Sequence, residues 1–241
     1  MQPTYLPWMG YYALMDQVDV FVFLDSVQFA KRSWQQRNKI KTTNGEQWLT
    51  VPVVSKSLRD QRIDEVKIDY GSAFIKKHIG TIEMAYKKAR YYTQYSDRIF
   101  AILNRNYPYL SELNVAIIEE IKDILGIEIE FIRSSSLACR GTKAELLADI
   151  CQQLRADTYI SPPGSQGYLE QSTAFQERGI RVKYNDYQHP VYEQLHGSFL
   201  PYMSIIDLFF NEGEKSLEII RQGIMESRSK PTKMPDEGKA S

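Results

Sequence analysis

Val18–Asp25 reads VDVFVFLD. The apolar, β-branched and aromatic residues run on without alternation and end on a carboxylate. A short continuous apolar run of this kind marks a strand buried on both faces, as in a parallel sheet. The residue that closes such a strand stands at its C-terminal end, where open α/β sheets bind ligands.

Downstream, the pattern alternates between strand and helix. QWLTVPVV (Gln47–Val54) and DEVKID (Asp64–Asp69) read as strands, the first irregular because of Pro52. Between them and the first strand, loop chemistry dominates Gln28–Glu46. Phe74–Ala89, TQYSDRIFAILNRNY and LSELNVAIIEEIKDILG carry helical spacing, the last with Leu110, Ile117, Ile121 and Leu125 on one face and Gly126 as its stop. These helices form an insert over about 72–126, long for one crossover. IEIEFIRSS, DTYIS and IRVKYND then read as strands, separated by helices at TKAELLADICQQLRA and TAFQERG. SIIDLFFNEG and EKSLEIIRQG close a single domain over 1–225. The aperiodic, polar stretch 226–241 reads as a disordered tail. The alternation predicts an α/β fold with a mainly parallel sheet flanked by helices.

The chain has 241 residues with thirty basic and thirty acidic side chains, so its formal net charge is zero. That argues against stable nucleic-acid binding, which favours a basic excess. Cys139 and Cys151 are too few for a disulfide framework or a four-cysteine metal site. No apolar run is long enough to span a membrane, and no basic-then-apolar leader opens the chain. A cytoplasmic protein, not integral to the membrane, is expected. No HExxH, CxxC or GxSxG spacing occurs, so no metal site is assigned.

Three stretches carry chemistry. FLDSVQFAKRSWQQRNKIK follows the buried strand and brings together Asp25, Gln28, Lys31, Arg32, Trp34, Arg37, Asn38 and Lys39. Its cations suit phosphate or carboxylate, and Trp34 suits stacking on a base or sugar. A solvated loop with one anchoring tryptophan is the plainer reading. YISPPGSQGYL offers Ser161, Gly164 and Ser165 as small residues and backbone amides for an anion, though plain turn chemistry explains it equally. NDYQHPVYEQLHGSFLPYMSIIDLFFNEG holds His189 and His196. His189 is the candidate general base, and Asp207, in an apolar run, is its candidate orienting carboxylate.

Together with the opening MQPTYLPWMGYY and the segment RSSSLACRGTKAELLADI, these stretches resemble the WbqC-like protein family from Gln2 to about Gly223. That family occurs in bacterial O-antigen, lipopolysaccharide and other polysaccharide gene clusters. The resemblance implies a transferase that attaches an amino acid, glycine, to the amine of a nucleotide-linked or lipid-linked amino sugar. Carried onto this chain, it adds Gln2, Tyr5, Trp8, Gly10, Tyr11, Tyr192, Gln194 and Asn211 to the substrate- or nucleotide-binding set. A second similarity, of PTYLPWMGYYALMDQVDVFVFLDSVQF to pantothenate synthetase-type enzymes, implies a Rossmann-like, nucleotidyltransferase-like sheet. Trp8–Tyr11 would replace that class's HxGH, without its two histidines, which weakens an adenylyl-transfer reading. The alternatives are an ATP- and Mg²⁺-dependent adenylate-forming enzyme, or a non-catalytic nucleotide-sugar-binding protein. The implied activation is ATP/Mg²⁺ or a preformed aminoacyl donor. Members carry a short apolar strand ahead of QPxYLPW, so this chain is expected to lack the first strand. The opening loop is expected to line a cleft with Asp25, Arg37 and His189.

Overall fold

In the computed structural model, which describes residues 1–55, 58 and 60–229, the opening loop leads into α1 (Met9–Met15) and then β1 (Val20–Phe23). A hairpin follows, β2 (Arg37–Thr42) and β3 (Gly45–Thr50). Three helices come next: α2 (Phe74–Tyr86), α3 (Tyr92–Leu103) and α4 (Leu110–Leu125). The chain continues through β4 (Glu130–Arg133), α5 (Lys143–Gln153), β5 (Thr158–Ser161), α6 (Gln166–Leu169), α7 (Ala174–Glu177) and β6 (Arg181–Tyr184). It ends on α8 (Ile205–Glu212) and α9 (Ser216–Ser229).

β1 pairs with β4 and β5 with β6, both parallel. The two pairs share no ladder among the described residues, so the fold is mixed α/β with small sheets rather than one wide parallel sheet. The composition of the outer strands accounts for the split. β6 alternates exposed Arg181 and Lys183 with half-buried Val182 and Tyr184, whereas a strand inside a wide parallel sheet is apolar on both faces. Phe21 and Phe23 of β1 are buried, and both pack against Phe131 of β4. Met1 lies beside β1: its ammonium donates to Val22 O (2.7 Å) and its carbonyl accepts from Leu24 N (2.8 Å). Burial pushes that ammonium's pKa down to about 5.

Two stretches differ from their sequence reading. Arg37–Glu46, read as loop, contains β2 and the start of an antiparallel hairpin. Asn44–Gly45 is a strong hairpin signal, and Gly45 takes φ +91°, which its missing Cβ permits. Asp64–Asp69, read as a strand, begins instead inside the 3₁₀ turn Ile63–Glu65. There the Glu65 carboxylate accepts from Arg62 N (2.9 Å), and such local capture competes with strand pairing.

The helical readings of α2, α3 and α4 match the structure, and Gly126 ends α4 in the left-handed region at φ +70°. α9 runs on to Ser229, past the Glu226 where the tail was expected; its good helix formers Met225 and Glu226 carry the turn onward. Residues 230–241 lie outside the described residues. One large apolar cluster spans the opening loop, β1, the hairpin, α2–α4 and α8. A smaller one gathers α5, α6, α7 and Ile180.

Candidate functional site

The opening loop is a buried spine rather than a frayed end. Pro3, Tyr5, Leu6 and Pro7 are buried, and side chains from elsewhere hold their backbone. Asn38 Nδ2 donates to Tyr5 O (3.2 Å) and Leu6 O (2.7 Å). Asn114 Nδ2 donates to Pro3 O (3.2 Å) and Gln35 O (2.7 Å). Leu6 sits at φ +44°, a strained conformation for a branched side chain that these bonds hold in place. Gln2 Oε1 accepts from Gln35 Nε2 (2.9 Å). Tyr5 and Tyr11 are fully enclosed.

Tyr5 OH bonds His78 Nδ1 (2.9 Å). The His78 ring also bonds the Thr50 backbone, and burial pulls its pKa down to about 4. A base held neutral this way binds fewer protons folded than unfolded. Stability therefore falls as pH drops from 6.5, and the full penalty, about 3 kcal/mol, is in force by about pH 4. Unfolding midpoints measured across that window should show the slope, and His78→Gln should flatten it. An unchanged slope in the variant would exclude His78 as its source.

At the Met1 end of this spine, Asp25 closes β1 fully buried. Its carboxylate accepts from Ser134 Oγ (3.1 Å), Ser135 N (2.9 Å) and Ser135 Oγ (2.9 Å), all just beyond β4, and Arg133 stands 3.8 Å away. Exposed Gln28 and Arg62 pair across a bridge nearby. This is the C-terminal end of a parallel strand pair, the position expected for ligand binding.

At the other end, Trp8 lies over Gly10, where any Cβ would meet the indole ring at 2.2 Å. Trp8 stacks on His189 (5.8 Å between centroids, 14° between planes) and meets Tyr187 and Tyr202 edge-on. His189 Nδ1 bonds Pro190 O (2.7 Å), and Nε2 accepts from Tyr202 N (3.1 Å). That arrangement is the neutral tautomer with its proton on Nδ1, and burial lowers the ring's pKa further. Tyr202 is 53% exposed and takes φ +61°, a conformation rare for an aromatic residue.

Beneath this face Asp207 is completely buried in α8. It accepts from Tyr86 OH (2.8 Å), Tyr192 OH (2.7 Å) and Gln194 Nε2 (2.8 Å). Gln194 Oε1 accepts from Lys41 Nζ (3.1 Å), which also donates to Gly197 O (3.2 Å) and Ser198 O (2.6 Å). Desolvation raises the Asp207 pKa, opposed by its three donors and by Lys41. Asn211 Nδ2 donates to Asp207 O (2.7 Å). Asp207 reaches His189 only through the Tyr192 ring, which stacks on the imidazole at 6.4 Å.

The YISPPGSQGYL stretch stands apart. Ser161 is buried and directs Oγ to Pro162 O (3.2 Å), and Ser165 N is spent on Pro162 O (3.1 Å), so that amide is not free for an anion. Lys31, Arg32 and Trp34 are exposed on the loop ahead of β2, while Asn38 is enclosed by the opening loop. The structure thus places Trp8 against His189, and Trp34 O on Tyr5 N (3.0 Å), but bonds Asp25 to Ser134 and Ser135 just beyond β4 instead. Lys41, Tyr86, Ser134, Ser135, Trp48 and Tyr202 join these clusters without having been singled out. Ser134 and Ser135 are the last two residues of the strand read from IEIEFIRSS, so the strand-end rule points to them; Lys41 and Tyr86 carry no such signal. No group of three or more His, Cys, Asp or Glu among the described residues is arranged to hold a metal ion. No helix among them is long and apolar enough to cross a membrane.

These features define a mixed α/β protein whose polar clusters flank one buried opening loop. The model of the WbqC-like protein family matches residues 2–219, and the chain belongs to that family. It is 38% identical over 223 residues to the uncharacterized protein Rv1507c of Mycobacterium tuberculosis, covering 92% of this chain and 96% of that one. No solved structure matches it.

Proposed function

We propose that the protein transfers an amino-acid acyl group, glycyl, to the amine of a nucleotide-linked or lipid-linked amino sugar in surface-polysaccharide assembly. The observation that carries this reading is the neutral His189 imidazole set between Trp8 and the exposed Tyr202. Aromatic rings pack against the C–H face of a pyranose, while a small number of polar groups orient it. A sugar amine reaches the site as an ammonium and must lose a proton before it attacks. His189 is neutral, and its Nε2 lone pair is held only by the amide of Tyr202, a residue in a strained conformation. Release of that amide hands the lone pair to the acceptor. The ammonium proton passes to Nε2, and the amine lone pair forms the new C–N bond to the acyl carbon. The bond to the donor's leaving group breaks, and that group departs with the electron pair and takes the proton from the imidazolium; the acylated nitrogen then gives its second proton to the freed Nε2, which passes it to solvent, leaving a neutral amide. Asp207 acts as a positioning residue, fixing Tyr192 behind the imidazole. Family membership supports the polysaccharide setting.

The test supplies isotope-labelled glycine with ATP and Mg²⁺, or glycyl-tRNA, to the purified protein and a nucleotide-linked amino sugar. Mass spectrometry should detect the acceptor carrying one glycyl group in amide linkage. His189→Gln should cut the rate by about a hundredfold or more without unfolding the chain. Full activity in that variant removes the base assignment. No product from either donor removes the reading.

A further inference from the structure

The hairpin and the loop ahead of it present a face outside the His189 cluster. Trp34 and Trp48 are 49% and 39% exposed, with ring centroids 5.4 Å apart. The Arg37 guanidinium lies 4.3 Å over the Trp48 ring, and its Nε is buried without a hydrogen-bond partner. Among the described residues no carboxylate pairs with Arg37 or with Arg32. Glu46 is already engaged by Lys39 at 2.8 Å.

The loop bearing these groups is braced from beneath. Buried Gln35 accepts from Ala30 N (3.0 Å), and buried Gln36 accepts from Arg32 N (2.8 Å). Arg32 sits at φ +59°, a left-handed conformation that side chains avoid unless surrounding bonds enforce it. The scaffold thus presents an exposed indole and two arginines without a carboxylate partner, Arg32 exposed on a braced backbone and Arg37 half-buried over Trp48. A complementary ligand brings a flat ring and an anion together.

We propose that this face binds a nucleoside diphosphate, its base stacked on Trp34 and its phosphates held by Arg37 and Arg32. Indole faces stack bases without needing base-edge contacts. A planar guanidinium takes two phosphate oxygens at once. A chain of zero net charge does not favour a nucleic-acid polymer. The role of the face rests on the acyl-transfer reading, in which it holds the nucleotide end of the acceptor. Ser204 N donates to Lys39 O (2.8 Å), which ties the hairpin to the segment bearing Tyr202.

Binding is read without turnover, by calorimetry and tryptophan fluorescence with uridine diphosphate as the probe. Saturable binding is expected, with uridine alone and inorganic pyrophosphate alone each weaker by about tenfold or more. Trp34→Ala and Arg37→Gln should each weaken uridine diphosphate by about tenfold. Trp34→Ala removes a half-exposed ring whose contact is with Trp48, so its folding equilibrium should weaken by no more than about fivefold (about 1 kcal/mol), which keeps the chain folded. Absence of saturable binding overturns the proposal. So does binding that ignores both substitutions, or a single-stranded RNA that binds more tightly than the nucleotide. Nucleotide binding that both substitutions weaken, in a protein that forms no glycyl product, upholds this face and removes the transfer reading alone.

Discussion

Asp207→Ala should lower the unfolding free energy by about 3–5 kcal/mol, read as a drop in urea midpoint at unchanged slope. The substitution removes a partner from four groups at once, although Gln194 Nε2 keeps Leu200 O and Tyr192 OH (both 3.0 Å). Tyr86 OH, Tyr192 OH and Gln194 Nε2 lose their shared acceptor. Lys41, itself buried, loses the carboxylate that offsets its desolvation. Lys41→Met should cost less, because the carboxylate keeps its three neutral donors. The double variant should fall short of the sum of the two, which marks the pair as coupled. The pH dependence carries a definite sign. Desolvation lowers the Lys41 pKa, so the folded state binds this proton less readily than the unfolded state. In Asp207→Ala, where the opposing pull is gone, stability should partly recover as pH rises from 7 toward about 10 and the amine neutralises. A loss below about 1 kcal/mol would mean that water or rearrangement satisfies the network.

Asn38→Asp should cost about 3–5 kcal/mol, although the two side chains have nearly the same shape. Asn38 is buried and spends its amide on the carbonyls of Tyr5 and Leu6, while Lys39 N donates to its Oδ1 (2.8 Å). The aspartate replaces that donor with an oxygen facing two carbonyl oxygens. It must either carry a buried, unpaired charge or bind a proton. In the second case the variant regains stability on acidification, the reverse of the wild-type His78 trend. Because Leu6 relies on this bond for its left-handed backbone, the loop should loosen from Tyr5 to Trp8. Faster amide exchange there than in α4 would report it. Wild-type stability in Asn38→Asp would show that the opening loop does not depend on this anchor.

Legibility in the sequence followed the range of the pattern. Helices α2 to α4 were readable because the helical period repeats over several turns, and Gly126 ends α4 by a rule of local geometry. β1 was readable because its apolar run is unbroken, but one face, Phe21 and Phe23, is buried while Val20 and Val22 on the other are half-buried. The hairpin was not, since β2 reads RNKIKT, with charges at strand positions. Only the tertiary fold buries Lys41, by giving its ammonium the carbonyls of Gly197 and Ser198. Asp207 stands out in the sequence as a carboxylate in an apolar run, yet its donors lie on two other segments, Tyr86 on α2 and Tyr192 and Gln194 ahead of α8. His189 was singled out as a base, while the Tyr202 amide that occupies its Nε2 was not.

By itself the sequence determined the local conformations: an apolar strand ending at Asp25, a run of amphipathic helices, and an uncharged opening rich in aromatics and proline. The tertiary structure alone decided that this opening becomes the buried spine, with Asp25 at one end and His189 at the other. It alone joined Tyr86 to Asp207 across 121 positions. The reason is physical. Periodicity records which face of an element meets the core, and that is settled within a few residues. The partner of a buried polar group is settled by chain closure, which brings distant segments to hydrogen-bonding distance and leaves no trace in local spacing.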